Sequence, residues 1–310
     1  MVSLMPLVQL RRILGKARSD GYAVGYFEAW DACSLEAVLT AAEAESAPVI
    51  LGFGAMMVDG PWLDGGGIEV LGAIGRTYAV RSSVDVALIF NEAQTLDQAK
   101  RGIDAGFNTV MLDTHSWPTE AAIVAVKELC RVAHQSGVAV EGELGSPAEA
   151  TAVGVDHSHE RLTDPAEAAR FVEETGVDCL AVSVGNVHIL IDHEASIDIE
   201  RLRSIHQRVD VPLVIHGGTS FPPVAVEPAI MLGVAKFNVG TVLKHEFWGG
   251  LDAAVRSAGT PPDVHRLLGS HKDSDVMAVA QERMTAKVRS LIKQYGGSGR
   301  QVIAPEPAAV

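Results

Sequence analysis

A closed (β/α)8 barrel is the fold that this sequence predicts, and three observations predict it. Eight short apolar runs alternate with helical stretches along the chain. The 310 residues fit a single barrel without a second core. Polar groups recur where the apolar runs stop, and barrels of this kind build their sites at the C-terminal ends of their strands. An open doubly wound sheet, the competing α/β arrangement, commonly uses fewer strands.

Taken in order, a short helix near residues 7–17 precedes a first strand at 23–30 and an Ala/Leu-rich helix at 34–46. The apolar run 48–54 follows, then Gly65, Gly66 and Gly67 and a helical stretch to Val80. Strand 85–91, helix 96–105, strand 109–113, helix 120–135 and strand 138–145 continue the rhythm. Asp164-Pro165 opens the next helix with an Asp cap and a proline in the first turn, and Gly176 ends it. Residues 179–184, 211–215 and 235–239 supply the last three strands. Residues 211–215 lack polar alternation, which suits a strand covered on both faces. These elements give a catalytic barrel over 1–260 and an amphipathic helical extension over 261–295 of the same domain. A Gly-, Pro- and Ala-rich tail at 296–310 reads as mobile.

An apolar share of 47% against 21% charged residues is the balance of a well-buried globular enzyme and excludes a disordered chain. The net charge of −14 argues against nucleic-acid binding, since phosphate backbones reward clustered Lys and Arg. No apolar run is long enough to span a bilayer, and the N-terminus lacks a cleavage pattern. Cys33, Cys130 and Cys179 are odd in number and lie in apolar surroundings, so they read as inert thiols in a reducing compartment. The expectation is a cytoplasmic protein without nucleic-acid or membrane partners.

The predicted strand ends carry Glu28, Asn91, Glu92, Asp113, Glu141, Glu143, Asn186, His188, His216, Asn238 and Thr241. Solvation would be served as well by Lys or Ser. His188, His216 and one carboxylate would converge in a barrel and offer nitrogen and oxygen ligands suited to zinc or a similar divalent ion. The plainer alternative is that each imidazole caps a strand by hydrogen bonding. Gly217, Gly218, Thr219 and Ser220 after the seventh strand, with Asn238 and Thr241 after the eighth, supply glycine N–H groups and hydroxyls for a phosphate. Turn chemistry alone is the alternative there. His157 and His159 read as solvated loop residues, and Asp192, His193 and Glu194 as a solvated turn.

Gly21-Tyr22-Ala23-Val24, Thr163-Asp164-Pro165, Glu174 to Asp178, Pro212 to Gly218, and Lys236-Phe237-Asn238-Val239 with Thr241 form a specific series. On these motifs the chain, across residues 7–251, resembles the class II, metal-dependent fructose-bisphosphate and tagatose-bisphosphate aldolases. The resemblance implies a lyase that cleaves or forms a C–C bond in a phosphorylated ketose or related polyol. It also implies a divalent cofactor, zinc above others, and a homodimer or homotetramer. By the same resemblance His188 and His216 hold the metal, and Asp113 and Glu143 are acidic positions near it. Gly217, Thr219, Asn238 and Thr241 fall where the family contacts phosphate or the ketose. The family's metal polarises the ketose carbonyl and stabilises the enediolate left when the C3–C4 bond breaks.

The departures bear on the chemistry. Phe90-Asn91-Glu92-Ala93 stands where the family has a Leu-Asp-His pattern, and an amide cannot shuttle the proton that the Asp carries. Glu92 suits either the third metal ligand or a displaced base. Glu28 replaces the usual Asn and brings a carboxylate that can take up the lost proton role or pair with a substrate amine or hydroxyl. Ile189 replaces a Gly, and Ser220 another. The loop 146–160 lacks the family's Gly-Gly-acid pattern, leaving Glu149 and Glu160 as substitutes. Lys236 suggests a Schiff base, but its place beside Asn238 favours a structural role. The site therefore reads as Glu28, Asn91 and Glu143 for catalysis, with Gly217, Gly218, Thr219, Ser220, Asn238 and Thr241 for the phosphate. Glu92, His188, His216 and Asp113 are the metal positions. Two other functions stay open: a silent barrel that binds a phosphorylated metabolite, and a metal-dependent epimerase or isomerase on the same substrate class.

Overall fold

The computed structural model describes residues 7–151, 154–158, 160–190 and 193–301. The expectations for His159, for Asp192 and for residues 302–310 fall outside them.

The chain runs α1 (Leu10–Asp20), β1 (Val24–Phe27), α2 (Ala32–Ala44), β2 (Val49–Gly54) and a single turn, α3 (Gly60–Trp62). It continues α4 (Ile68–Ala79), β3 (Val86–Ala93), α5 (Leu96–Asp104), β4 (Thr109–Leu112), α6 (Thr119–Gln135) and β5 (Ala139–Leu144). Two short strands follow, β6 (Ala148–Thr151) and β7 (Gly154–Asp156), then α7 (Pro165–Thr175), β8 (Cys179–Val182) and β9 (Val187–His188). The rest is α8 (Ile199–His206), β10 (Leu213–Ile215), α9 (Pro223–Met231), β11 (Val234–Val239), α10 (Thr241–Ser257), α11 (Val264–Leu267) and α12 (Val276–Gln294).

Eight of these strands close a parallel barrel in the order β1-β2-β3-β4-β5-β8-β10-β11, the last pairing with the first. The predicted (β/α)8 architecture is the observed one. Local chemistry starts the helices where the chain needs them. Asp31 and Ser34 form a reciprocal capping box on α2, and Thr95 caps α5 through the Gln98 N–H. Asp164 accepts from the Ala166 and Glu167 N–H groups with Pro165 behind it, and Gly176 ends α7 in the left-handed region.

One apolar layer lies between barrel and helices, with Phe27, Phe53, Phe90 and Phe237 pointing outward from alternate strand positions. A second fills the barrel floor with Val24, Tyr26, Ile50, Ile89 and Val214, and α1 plugs it from below through Leu10, Ile13 and Leu14. That plug is tied down by Asn108, whose Oδ1 accepts from the Leu88 N–H and whose Nδ2 donates to the Val8 carbonyl, both at 2.8 Å. The segment 262–295 forms two helices rather than one, and α12 packs along α2 and α10. Past α12, the Gly299 and Gln301 N–H groups donate to the Glu45 and Ser46 carbonyls. Among the described residues no helix is long and apolar enough to cross a membrane.

The loop 146–160, read from sequence as irregular, contributes β6 and β7 to a small sheet ordered β7-β6-β9 above the barrel mouth. Glu149 pairs with His188 in this sheet. His188 therefore does not end a barrel strand. It sits on a two-residue strand beyond β8, too short for any hydrophobic period to reveal it.

Candidate active site

The C-terminal mouth of the barrel holds a cleft of about 230 Å3 whose walls include Tyr26, Glu28, Asn91, Glu92, His188 and His216. Asn91 and Glu92 reach it because β3 loses register with β4 between Phe90 and Ala93. Glu92 there adopts a left-handed backbone, φ 54°. A bulge of this kind re-aims side chains that a regular strand would send to opposite faces. Both side chains line the cleft.

His216 is the centre of the arrangement and is 2% exposed. Its Nε2 lies 3.0 Å from Glu141 Oε1, and the other Glu141 oxygen accepts from the buried Lys236 ammonium. Lys236 is thus a structural counter-ion, as its place in the motif suggested. The Glu141 contact fixes one ring proton on Nε2, so Nδ1 faces the cleft as the position where a cation can take the place of the second proton. Nδ1 is buried without a hydrogen-bond partner. Its nearest carboxylate atoms are Glu92 Oε1 at 3.3 Å and Glu143 Oε1 at 3.5 Å. The His188 ring stacks on His216 with centroids 6.0 Å apart.

The electrostatics follow from burial opposed by these pairs. Burial pulls His216 down, but the hydrogen bond to Glu141 and the nearby Glu92 and Glu143 carboxylates outweigh it and raise it to about 10. Burial lowers His188 to about 4, which leaves its imidazole neutral at neutral pH. Burial alone would raise Glu92, yet the adjacent His216 cation, 3.3 Å away, holds it below its usual value. Glu143 lacks such a bond; burial, with Glu92 and Asp113 behind it, raises it to about 7. Asp113 is bound to His115, its Oδ1 lying 2.6 Å from Nδ1, a contact that lifts His115 to about 9.

The predicted residues divide. Glu28, Asn91, Glu92, His188, His216, Gly217, Thr219, Asn238 and Thr241 all line the one cleft. Asp113 and Glu143 line a narrow recess beside it, which they share with Glu92 and His188. Gly218 and Ser220 are not on the cleft wall: the Gly218 N–H is spent on the Asn238 carbonyl at 2.8 Å, and Ser220 Oγ donates to the Val187 carbonyl at 3.1 Å. Gly217 has φ 67°, and a Cβ there would lie 2.4 Å from the Val187 carbonyl oxygen, so only glycine lets this loop meet β9. Glu28 is held by Lys244, with Oε1 2.8 Å from Nζ, and burial still raises its carboxyl. Ile189, on the same wall, has φ 63°.

Tyr26, His115 and Lys244 went unnoticed in the sequence. Tyr26 was legible, because Val24, Tyr26 and Glu28 share one face of the first strand by its period of two. His115 and Lys244 carry no pattern that separates them from surface residues.

Among the described residues no three His, Cys, Asp or Glu side chains form a ready cation cage. The donor chemistry nevertheless suits a divalent ion: His216 Nδ1 is buried without a hydrogen-bond partner and stands 3.3 Å from Glu92 Oε1, close to the roughly 3.4 Å between two ligands of tetrahedral zinc. A sequence model of the family described as Fructose-bisphosphate aldolase class-II matches residues 8–300. The chain belongs to the class II fructose-bisphosphate aldolase family. It is 31% identical over 304 residues to a fructose-bisphosphate aldolase of Staphylococcus aureus, covering 96% of this chain and 99% of that one. The YdjI aldolase of Escherichia coli K12 superposes with a TM-score of 0.78 at 26% identity, over 96% of this chain and all of that one. A putative fructose-1,6-bisphosphate aldolase of Coccidioides immitis gives 0.76 at 25% identity, over 94% and 97%. The chain is thus a class II aldolase-type lyase, in a family that generally depends on a divalent metal and acts on phosphorylated sugars.

Proposed function

We propose that this aldolase breaks or forms a C–C bond in a phosphorylated ketose or related polyol, with a divalent ion, zinc foremost, held by Glu92, His188 and His216. The observation that carries the reading is His216 Nδ1, buried and unpartnered while Glu141 fixes the opposite nitrogen. Two imidazoles and one carboxylate leave an open position for substrate. An ion held there would supply Lewis acidity at the ketose carbonyl and stabilise the negative charge left by C3–C4 cleavage.

The remaining steps belong to side chains. The Gly217 N–H, the Thr219 and Thr241 hydroxyls and the start of α10 hold the phosphate end. Asn91 cannot carry a proton but orients a hydroxyl through its amide. A carboxyl raised to about 7 holds and releases a proton near neutrality, which makes Glu143 the proton carrier beside His216. Lys244 ties up Glu28, the other carboxyl with a raised value, and leaves it second to Glu143. Beyond His115, Ser146 and Glu149 a further cavity of about 480 Å3 gives room for the rest of the substrate chain.

The test is metal content of protein purified without chelator, beside Glu92→Ala, followed by aldehyde release from ketose phosphates. About one ion per chain, lost in the variant, with aldehyde released by the wild type is the expected result. Protein that takes up no zinc, or releases no aldehyde when loaded, overturns the reading.

A further inference from the structure

The barrel floor beneath the cleft carries polar atoms that no protein partner satisfies, among them the Tyr26 hydroxyl, which the chemistry above does not use. Tyr26 is 2% exposed and its hydroxyl has no hydrogen-bond partner among the described residues. Asn238, at 8% exposure, leaves both Oδ1 and Nδ2 unpartnered, and Asn91, at 2%, leaves Oδ1 so. All three line the cleft. Tyr26 and Asn238 are register partners on β1 and β11, so the phenol and the carboxamide stand side by side on the inner face.

Buried polar groups are normally satisfied, and each one left open costs free energy. Four open atoms on one cavity wall call for a ligand with matching groups. The Asn238 Nδ2 offers donors and the two amide oxygens offer acceptors, while the phenol serves as either. Adjacent carbon atoms bearing hydroxyl or carbonyl oxygens supply both kinds of partner at once. Burial, with the charges of Glu28, Glu92 and Glu141 behind it, keeps the phenol protonated, so it meets the ligand as a neutral hydroxyl. The ring needs no such ligand: it packs with Val24, Ile50 and Val214 and lies 5.1 Å from the Lys236 ammonium.

We propose that Tyr26 is a substrate-binding residue whose hydroxyl, with the Asn91 and Asn238 amides, reads adjacent oxygens of a polyhydroxylated carbon chain from below. This rests on the ketose reading given above and adds to it a hydroxyl requirement on the floor side of the cleft.

Tyr26→Phe removes one oxygen and keeps the ring. Zinc-loaded wild type and variant are titrated with fructose 1,6-bisphosphate, dihydroxyacetone phosphate and the 3-deoxy and 4-deoxy forms of the hexose bisphosphate, and both proteins are melted. The expected result is a five- to ten-fold weaker Kd in the variant, the loss of one neutral hydrogen bond, on the order of what such bonds contribute. That difference vanishes for whichever deoxy ligand lacks the oxygen Tyr26 meets. Thermal stability of the variant stays level or rises, because no protein partner loses its bond. Equal affinity of both proteins for every ligand that the wild type binds overturns the inference and leaves the ketose reading standing. A variant that melts earlier and loses affinity uniformly across the panel makes the hydroxyl structural and also overturns it. Wild type that binds none of the panel removes the ketose reading and this inference together.

Discussion

Asparagines at opposite ends of the barrel, one at the closed end and two at the open end, are treated in opposite ways. Asn108, at the closed end, spends its amide on two backbone groups at 2.8 Å and pins the α1 plug to β3. Asn91 and Asn238, at the open end, are more deeply buried yet hold amide atoms with no partner. In these three the side chain is a rivet below and an unfilled socket above, while Asn186, also at the open end, is riveted to the Val184 N–H and the His216 carbonyl. Of the four left-handed non-glycine residues among those described, Glu92 and Ile189 lie on the cleft, while Ser46 and His271 lie in connections away from it. Unmet hydrogen bonds and strained backbone persist only where surrounding structure enforces them, and such places cluster at functional sites.

The sharpest way to locate the border between the two regimes is Lys236, which sits fully buried against Glu141 just under His216. Lys236→Met strands a buried carboxylate and should cost about 3–5 kcal/mol in urea unfolding. A loss below about 1 kcal/mol would move this pair from the rivet class to the socket class.

Glu143 tests the open end by pH. Its folded value of about 7 exceeds the ordinary 4.5, so the native state holds a proton that the unfolded chain has released between those values. Its contribution to stability is present below 4.5 and is lost as pH rises through 7. In metal-free protein, wild type minus Glu143→Gln should fall by about 3 kcal/mol across that window. A flat difference profile would show that the carboxyl is ionised throughout. The folded values of His188 and His216, about 4 and about 10, lie outside this window, and their unfolded titration is common to both proteins.

The asparagines give the direct contrast. Asn108→Ala should lose about 2 kcal/mol, since a backbone donor and acceptor lose their partner. Asn91→Ala should change stability by less than about 0.5 kcal/mol while raising KM for a ketose phosphate. Equal destabilisation by both would erase the distinction. Ile189→Gly is the smallest effect: relief of a β-branched residue in the left-handed region should add about 1 kcal/mol, less the entropy that glycine gains when unfolded. A decrease in stability would mean that the Ile189 side chain contributes packing worth more than its backbone costs.

The fold was legible because its signals are local. Eight apolar runs, the Asp164-Pro165 start and the Gly176 stop each depend on a few neighbours in sequence. The wall of the cleft was legible for a related reason: residues that end strands must meet at a barrel mouth. What stayed hidden was decided by pairing between distant segments. The register shift that turns Asn91 and Glu92 together exists only against β4. His188 reached its place through two residues of pairing with β6, and Gly218 and Ser220 were consumed by backbone groups of β11 and β9. Tyr26 is a different case, visible by alternation but passed over as one more apolar strand residue.

Glu28 carries a consequence for how this site can change by mutation. Its Oε2 occupies the space where a side chain at residue 240 would begin, 2.1 Å from the position a Cβ would take. A carboxylate in that corner is supplied from the first strand, and Gly240 keeps the corner open. A side chain at 240 therefore requires the Glu28 carboxylate to turn aside, while a shorter residue 28 leaves the corner free. The order in which the two positions change thus sets whether the carboxylate keeps its contact with Lys244 along the way.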